Sequence, residues 1–132
     1  MLTSHSSAGA PGAVALMTTP DAVGGYASIL PAEPIGFEPA VPARIGLRLR
    51  SYRPAKHAKR VRCPLLVCAC EDDAISPAAI AAEVAARAPT GELRRYPIGH
   101  FDLSSGAWFE RVADDQVRFL ARHLLTPRPG AP

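Results

Sequence analysis

The chain has 132 residues, enough for one modest hydrophobic core and for no more than one domain. Its apolar content of 48% is ordinary for a globular protein, and its net charge of +3 is too small to define a partner by itself. No run approaches membrane-spanning length, and Met1 to Met17 has neither a basic start nor a long apolar stretch. The expectation is a cytoplasmic protein with no membrane partner.

Residues 1–43 show little periodicity. Most of the fourteen prolines and ten glycines fall in residues 9–43 and at the tail. Short apolar patches, Leu16-Met17 and Tyr26-Ala27-Ser28-Ile29-Leu30, lie between glycines and prolines and read as loop, the second as a helical turn stopped by Pro31. Residues 43–51 place Ile45, Leu47 and Leu49 among arginines, a spacing that fits a short helix or a strand equally well. Arg53-Pro54 breaks whatever precedes it.

No acid occurs between Glu38 and Glu71, an interval that holds Arg44, Arg48, Arg50, Arg53, Lys56, Lys59, Arg60 and Arg62. Such a stretch can attract nucleic acid or an acidic partner. It carries no aromatic interleaving and no reader motif, so the expectation is a solvated face with no nucleic-acid partner.

Order rises at Cys63-Pro64. Leu65-Leu66-Val67-Cys68-Ala69-Cys70 is a continuous apolar run of strand length, the pattern of a strand buried on both faces in a parallel sheet. The three cysteines are odd in number and clustered, which argues against a disulfide framework. No second half of a metal site accompanies them, so neither metal nor cofactor is expected. Ser76 reads as an N-cap and Pro77 as the first residue of a helix over 77–88, with Ile80, Val84 and Ala88 on one face beside Ala81 and Ala85. Glu92–Pro97 reads as a second, more polar strand. The last helix is predicted from about Ala107 to Leu125. Its apolar face is Phe109, Val112, Ala113, Val117, Leu120 and Leu124, and His123 is packed within that stripe. Residues 126–132 read as a disordered tail.

Strand, helix and strand at this spacing imply a right-handed crossover between parallel strands, and sites in such sheets form beyond the carboxyl ends of the strands. Asp73 lies three residues past Cys70, and His100 three residues past Pro97. Both should therefore emerge on one rim, where a carboxylate can fix the tautomer of an imidazole and leave its other nitrogen as a general base. A lone loop histidine is ordinarily a surface residue, and acids after strands are ordinarily turn formers. The joint placement is what makes Asp73 and His100 the candidate catalytic pair. Glu71, Asp72 and Asp102 compete as the acid. Asp73 is preferred to Glu71 and Asp72 for its place beside the Ile75-Ser76-Pro77 turn, and Asp102 is too near His100 in sequence to orient it easily. Gly99 is expected to let the backbone turn tightly before His100. His5 and His57 are given no role.

Cys63-Pro64-Leu65-Leu66-Val67, Glu71-Asp72-Asp73-Ala74-Ile75-Ser76-Pro77, Tyr96-Pro97-Ile98-Gly99-His100-Phe101 and the long closing helix resemble the C-terminal end of an α/β-hydrolase, in particular serine esterase- and peptidase-like members. The resemblance covers residues 61–125 specifically and residues 12–60 loosely. It implies an α/β fold, with the C-terminal portion of a hydrolase sheet at 61–125 and an irregular, cap-like segment at 1–60. It also implies hydrolysis of ester, amide or similar acyl bonds in a small-molecule substrate, with Asp73 as triad acid and His100 as triad histidine.

The family's serine sits on a Gly-x-Ser-x-Gly turn between a strand and a helix. The only counterpart is Ser4-His5-Ser6-Ser7-Ala8-Gly9, which would make Ser6 the nucleophile. Ser4 replaces the first glycine, three residues are too few for a preceding strand, and Pro11-Gly12 follow where a helix should begin. The expectation is a flexible polar terminus and a site lacking its nucleophile. A non-catalytic hydrolase remnant or interaction module is the alternative reading. A module that binds an acidic partner through residues 44–62 is less favoured. One partner strand and two helices cover a central-type strand only in part, so the isolated chain is expected to be marginally stable or to associate.

Overall fold

The structure is a computed structural model, and it describes residues 4–31, 36, 38–49 and 51–125. The expected tail at 126–132 lies outside the described residues. The chain is a mixture of strands and helices in two compact units, Met1–Pro54 and Ala55–Pro132, where its length had suggested one domain. The break falls at Pro54, whose ring restricts the residue before it, and so comes earlier than the break expected at residue 60.

The first unit is not the irregular segment expected. β1 (Ser4–Ala8) is the middle of a three-stranded sheet, between β2 (Ala15–Met17) and β3 (Ala40–Pro42). β1 runs parallel to β2, with Ser6 opposite Ala15, and antiparallel to β3, with Ser6 opposite Ala40. Among the described residues the unit also holds two short helices, α1 (Ala22–Ser28) and α2 (Ile45–Leu49), and α2 decides the ambiguity at 43–51 in favour of helix. The strands escape a pattern reading because Ser-His-Ser-Ser-Ala has no apolar alternation. Backbone pairing holds them, and the buried Ser7 donates its N–H to the Pro39 carbonyl at 2.8 Å.

A 3-10 turn over Pro54–Arg60 leads into the second unit and buries Ala58. β4 (Leu65–Cys70) and β5 (Gly91–Tyr96) then pair in parallel along their whole length, from Leu65 opposite Gly91 to Cys70 opposite Tyr96. Burial rises toward the carboxyl ends. Ala69 and Cys70 are buried, whereas Leu65 to Cys68 are only half-buried, because β4 has one strand neighbour among the described residues instead of the two its composition suits.

α3 (Ala78–Arg87) makes the crossover. Its N-cap is Pro77 and no side chain caps it, so Ser76 does not play the capping part expected. The buried face is also turned from the expected one: Ala85 and Ala88 are buried while Ile80 is 52% exposed. Small residues let the helix approach the sheet, and the approach is tightest at Gly91, where any Cβ would collide with the Ala85 carbonyl.

α4 (Gly106–Leu124) follows a short 3-10 turn at Phe101–Ser104. Val112 and Phe119 are buried, but Phe109, Val117, Leu120 and Leu124 of the expected apolar face are exposed. The helix also makes polar contacts to β5. The Tyr96 hydroxyl donates to Asp115 Oδ2 at 2.9 Å, and Arg122 and His123 both reach Glu92. The line through Val112, Asp115 and Phe119 faces inward, and part of the apolar stripe faces outward. The core joins Cys70, Tyr96, Ile98 and Val112, with Cys68 and Leu103 against it. Trp108 meets the Tyr96 ring edge-on at 6.4 Å.

Gly91→Ala is expected to destabilise the chain by about 1–3 kcal/mol, the usual cost of overpacking a tight contact. Chemical denaturation measures it, and an unchanged midpoint would contradict the close approach of α3.

Candidate active site

The two strand ends set the geometry before any side chain is considered. Past Cys70 and Tyr96 the ladder continues irregularly: the Glu71 N–H donates to the Tyr96 carbonyl at 2.8 Å, and the Asp72 N–H to the Ile98 carbonyl at 3.1 Å. The loops after β4 and β5 are thus sewn together at the carboxyl rim, which brings Asp73 and His100 within reach although 100 − 73 = 27 residues separate them.

Asp73 Oδ2 lies 2.8 Å from His100 Nδ1. Oδ1 accepts the backbone N–H groups of Ile75 at 2.8 Å and Ser76 at 2.6 Å. The carboxylate therefore fixes the turn that precedes α3, without capping the helix itself. The Asp73 side chain is 6% exposed and that of His100 34%. Burial pushes the Asp73 carboxyl upward, but the bonds from Ser76 N–H, His100 and Ile75 N–H outweigh it and hold it below its ordinary value. An ionised carboxylate can only accept, so Nδ1 carries a proton, and in the neutral imidazole the lone pair falls to Nε2. Among the described residues no hydroxyl or thiol bonds to Nε2.

The competing acids are engaged elsewhere. Glu71 faces Arg95 at 3.7 Å, Asp72 is exposed, and Asp102 Oδ2 takes the Gly99 N–H at 2.8 Å. Gly99 has no positive φ, and a Cβ there would make only an ordinary contact with Asp102 Oδ2, so the tight turn expected of this glycine is not what places His100. Phe101 is buried directly after His100, its ring edge-on to the imidazole at 5.0 Å.

Ser6 stands in mid-strand in β1, exposed, with its hydroxyl donating to the Ala8 carbonyl at 2.7 Å. It is neither in a flexible terminus nor on a strand-to-helix turn. Cys70 is close enough to Asp73 and Asp102 to feel both charges. Burial first, and those carboxylates second, push its thiol up to about 11, which keeps it protonated at neutral pH. His123 contacts both Phe119, at a ring separation of 4.6 Å, and Glu92, at 3.3 Å from Nε2. Among the described residues no group of three or more His, Cys, Asp or Glu side chains converges as metal ligands would, and no helix is long and apolar enough to cross a membrane.

Sequence reasoning missed the Asp102–Gly99 bond and the Tyr96–Asp115 and Glu92–Arg122–His123 latches. The Gly-His-Phe-Asp spacing is a local signal for the first. The others join partners 19 and 30–31 residues apart, and no local pattern announces them.

No family model matches the chain. The chain is 36% identical over 111 residues to the quorum-quenching protein AidA of Acinetobacter baumannii (strain MDR-ZJ06), a match that takes in 84% of this chain and 36% of AidA. It is also 32% identical over 76 residues to an uncharacterized 31.7 kDa protein of the traX-finO intergenic region in Escherichia coli, across 55% of this chain and 27% of the relative. The chain thus spans about a third of the length of the curated relatives it matches.

A carboxyl group held below its ordinary value in the folded state stabilises the fold above the unfolded-state value, and that contribution is lost as pH falls through the folded one. Stability should therefore decline below about pH 4, the ordinary range of a free aspartate. Glu92, held low by His123 and Arg122 against a smaller reserve of burial, shares the direction. Asp73→Asn should lower stability at neutral pH and flatten part of the acid slope. Denaturant midpoints from pH 7 to pH 3 check this, and an unchanged slope would count against an ionised Asp73.

Proposed function

We propose that Asp73 and His100 are the acid–base half of a hydrolase site of the α/β-hydrolase kind, acting on ester, amide or similar acyl bonds in a small molecule. The observation that carries the reading is the 2.8 Å bond from His100 Nδ1 to a carboxylate saturated by backbone donors, on the rim beyond parallel strands. The quoted motifs over residues 61–125 and the similarity to AidA support it. AidA is named for quorum quenching, and cleavage of an acyl-type signal is one chemistry that would quench it.

In this reaction Nε2 removes the proton of a serine hydroxyl as its oxygen attacks the acyl carbon. Asp73 holds the imidazolium that forms. His100 then returns the proton to the departing alcohol or amine. A water, deprotonated in the same way, releases the acid and restores the serine. Cys70 is not placed for that part: it is buried at the end of β4 and makes no hydrogen bond to His100.

A second reading is favoured by one observation: Ser6 stands in mid-strand rather than on an elbow, its hydroxyl bonded to the Ala8 carbonyl. On that reading the unit keeps the dyad as a structural pair and works as an interaction module.

Hydrolysis of chromogenic short-chain esters separates the two. The hydrolase reading expects turnover by the wild type, a fall of about a hundredfold or more in His100→Ala and a smaller fall in Asp73→Asn. Ser6→Ala shows whether β1 supplies the nucleophile. Turnover that survives in His100→Ala would overturn the hydrolase reading, and a silent wild type would favour the second. A bacterial quorum-signal reporter gives a second substrate class in the same variants.

A further inference from the structure

The His100 imidazole must meet a fixed carboxylate, yet its backbone lies beyond the β ladder. Ile98, buried in the core, is the last anchored residue before it, with its carbonyl on the Asp72 N–H. The next fixed point is the Gly99 N–H, which donates to Asp102 Oδ2 at 2.8 Å. That bond starts one residue before His100 and ends two residues after it, so it brackets the histidine. Phe101, inside the same loop, is buried and presses edge-on against the imidazole. Gly99 has no special φ that would set the turn by itself.

We propose that Asp102 is a positioning residue for His100: by taking the Gly99 N–H it closes the Gly99–Asp102 turn and keeps Nδ1 against Asp73. The inference rests on the Asp73–His100 pair being the working acid–base unit. It assigns Asp102 no contact with substrate. Asp102 acts through a hydrogen bond, not through its charge. Asparagine, which keeps a carbonyl acceptor of the same reach, should therefore replace it, and alanine should not.

The test is solution NMR of the full chain labelled with nitrogen-15. The His100 Nδ1 proton is identified by its loss in His100→Gln, and its solvent exchange is followed together with that of the Gly99 amide. Asp102→Ala should speed both exchanges by about tenfold, the equilibrium equivalent of one net hydrogen bond. Asp102→Asn should leave both within about twofold of wild type. The Tyr96 and Val112 amides, in the core, should exchange as in wild type in each variant, which separates a loosened turn from a failed fold.

Wild-type exchange at His100 and Gly99 in Asp102→Ala overturns the proposal. So does equal loosening in the Asn and Ala variants, which would assign the effect to charge. A His100 proton that persists unchanged in Asp73→Ala, which removes the acceptor altogether, would defeat the dyad itself, an outcome distinct from a Gly99 amide indifferent to Asp102.

Discussion

Three hydrogen bonds converge on one carboxylate, and the second unit's rim is organised around them. Asp73 takes two backbone N–H groups on one oxygen and an imidazole on the other. The same atom set stops the loop after β4, starts the turn before α3 and fixes the tautomer of His100. Burial alone would push this carboxyl upward and toward neutrality. The donors reverse that, so the group is at once buried and ionised. A neutral Asp73 could not do all three jobs, because a protonated oxygen loses an acceptor site and competes with Nδ1 as a donor.

The convergence presupposes parallel strands in one register. Cys70 opposite Tyr96 puts both chain exits at one edge, and the Glu71 and Asp72 N–H groups continue the pairing for one step on either side of the turn. A slip of one residue would carry every side chain of β5 to the other face. Tyr96 guards against that slip. It is buried beside Ile98, and burial, reinforced by the Asp115 carboxylate, pushes its phenol upward so that it stays a donor. Its bond to Asp115 ties the strand end to the middle of α4, and Glu92 ties the strand start to the helix end through Arg122 and His123. α4 is thus tied to β5 at both ends of the strand.

What could be read from the sequence follows from how local each signal was. The apolar run at Leu65–Cys70, the small-residue helix after it and the polar strand at 92–96 are set by neighbours in sequence, and all three are where their patterns put them. The Asp73–His100 contact was legible because it follows from topology, strand ends on one rim, and needs no long-range packing to be foreseen. The inward face of α4 was not legible. Its apolar stripe pointed one way, whereas Val112 and Phe119 are buried and Phe109, Val117, Leu120 and Leu124 are exposed, and the partners of Asp115 and Arg122 on β5 carry no periodic mark. β1 was invisible for the opposite reason: serines and an alanine make a strand only when β2 and β3 offer backbone partners on both sides. Gly99 misled because glycine before a histidine suggests a special φ, whereas its N–H is what the turn uses.

The same charge acts on two neighbours at the rim. Asp73 faces Nδ1 of His100, on a side chain exposed by about a third, and the buried Phe101 packs edge-on against that ring. Cys70 ends β4 three residues before Asp73 and is buried; burial first, and the Asp73 and Asp102 carboxylates second, push its thiol upward. Asp73, His100 and Asp102 all lie in one strand–helix–strand unit and the loops at its rim, so the Asp73–His100 pair takes its shape from contacts within that unit.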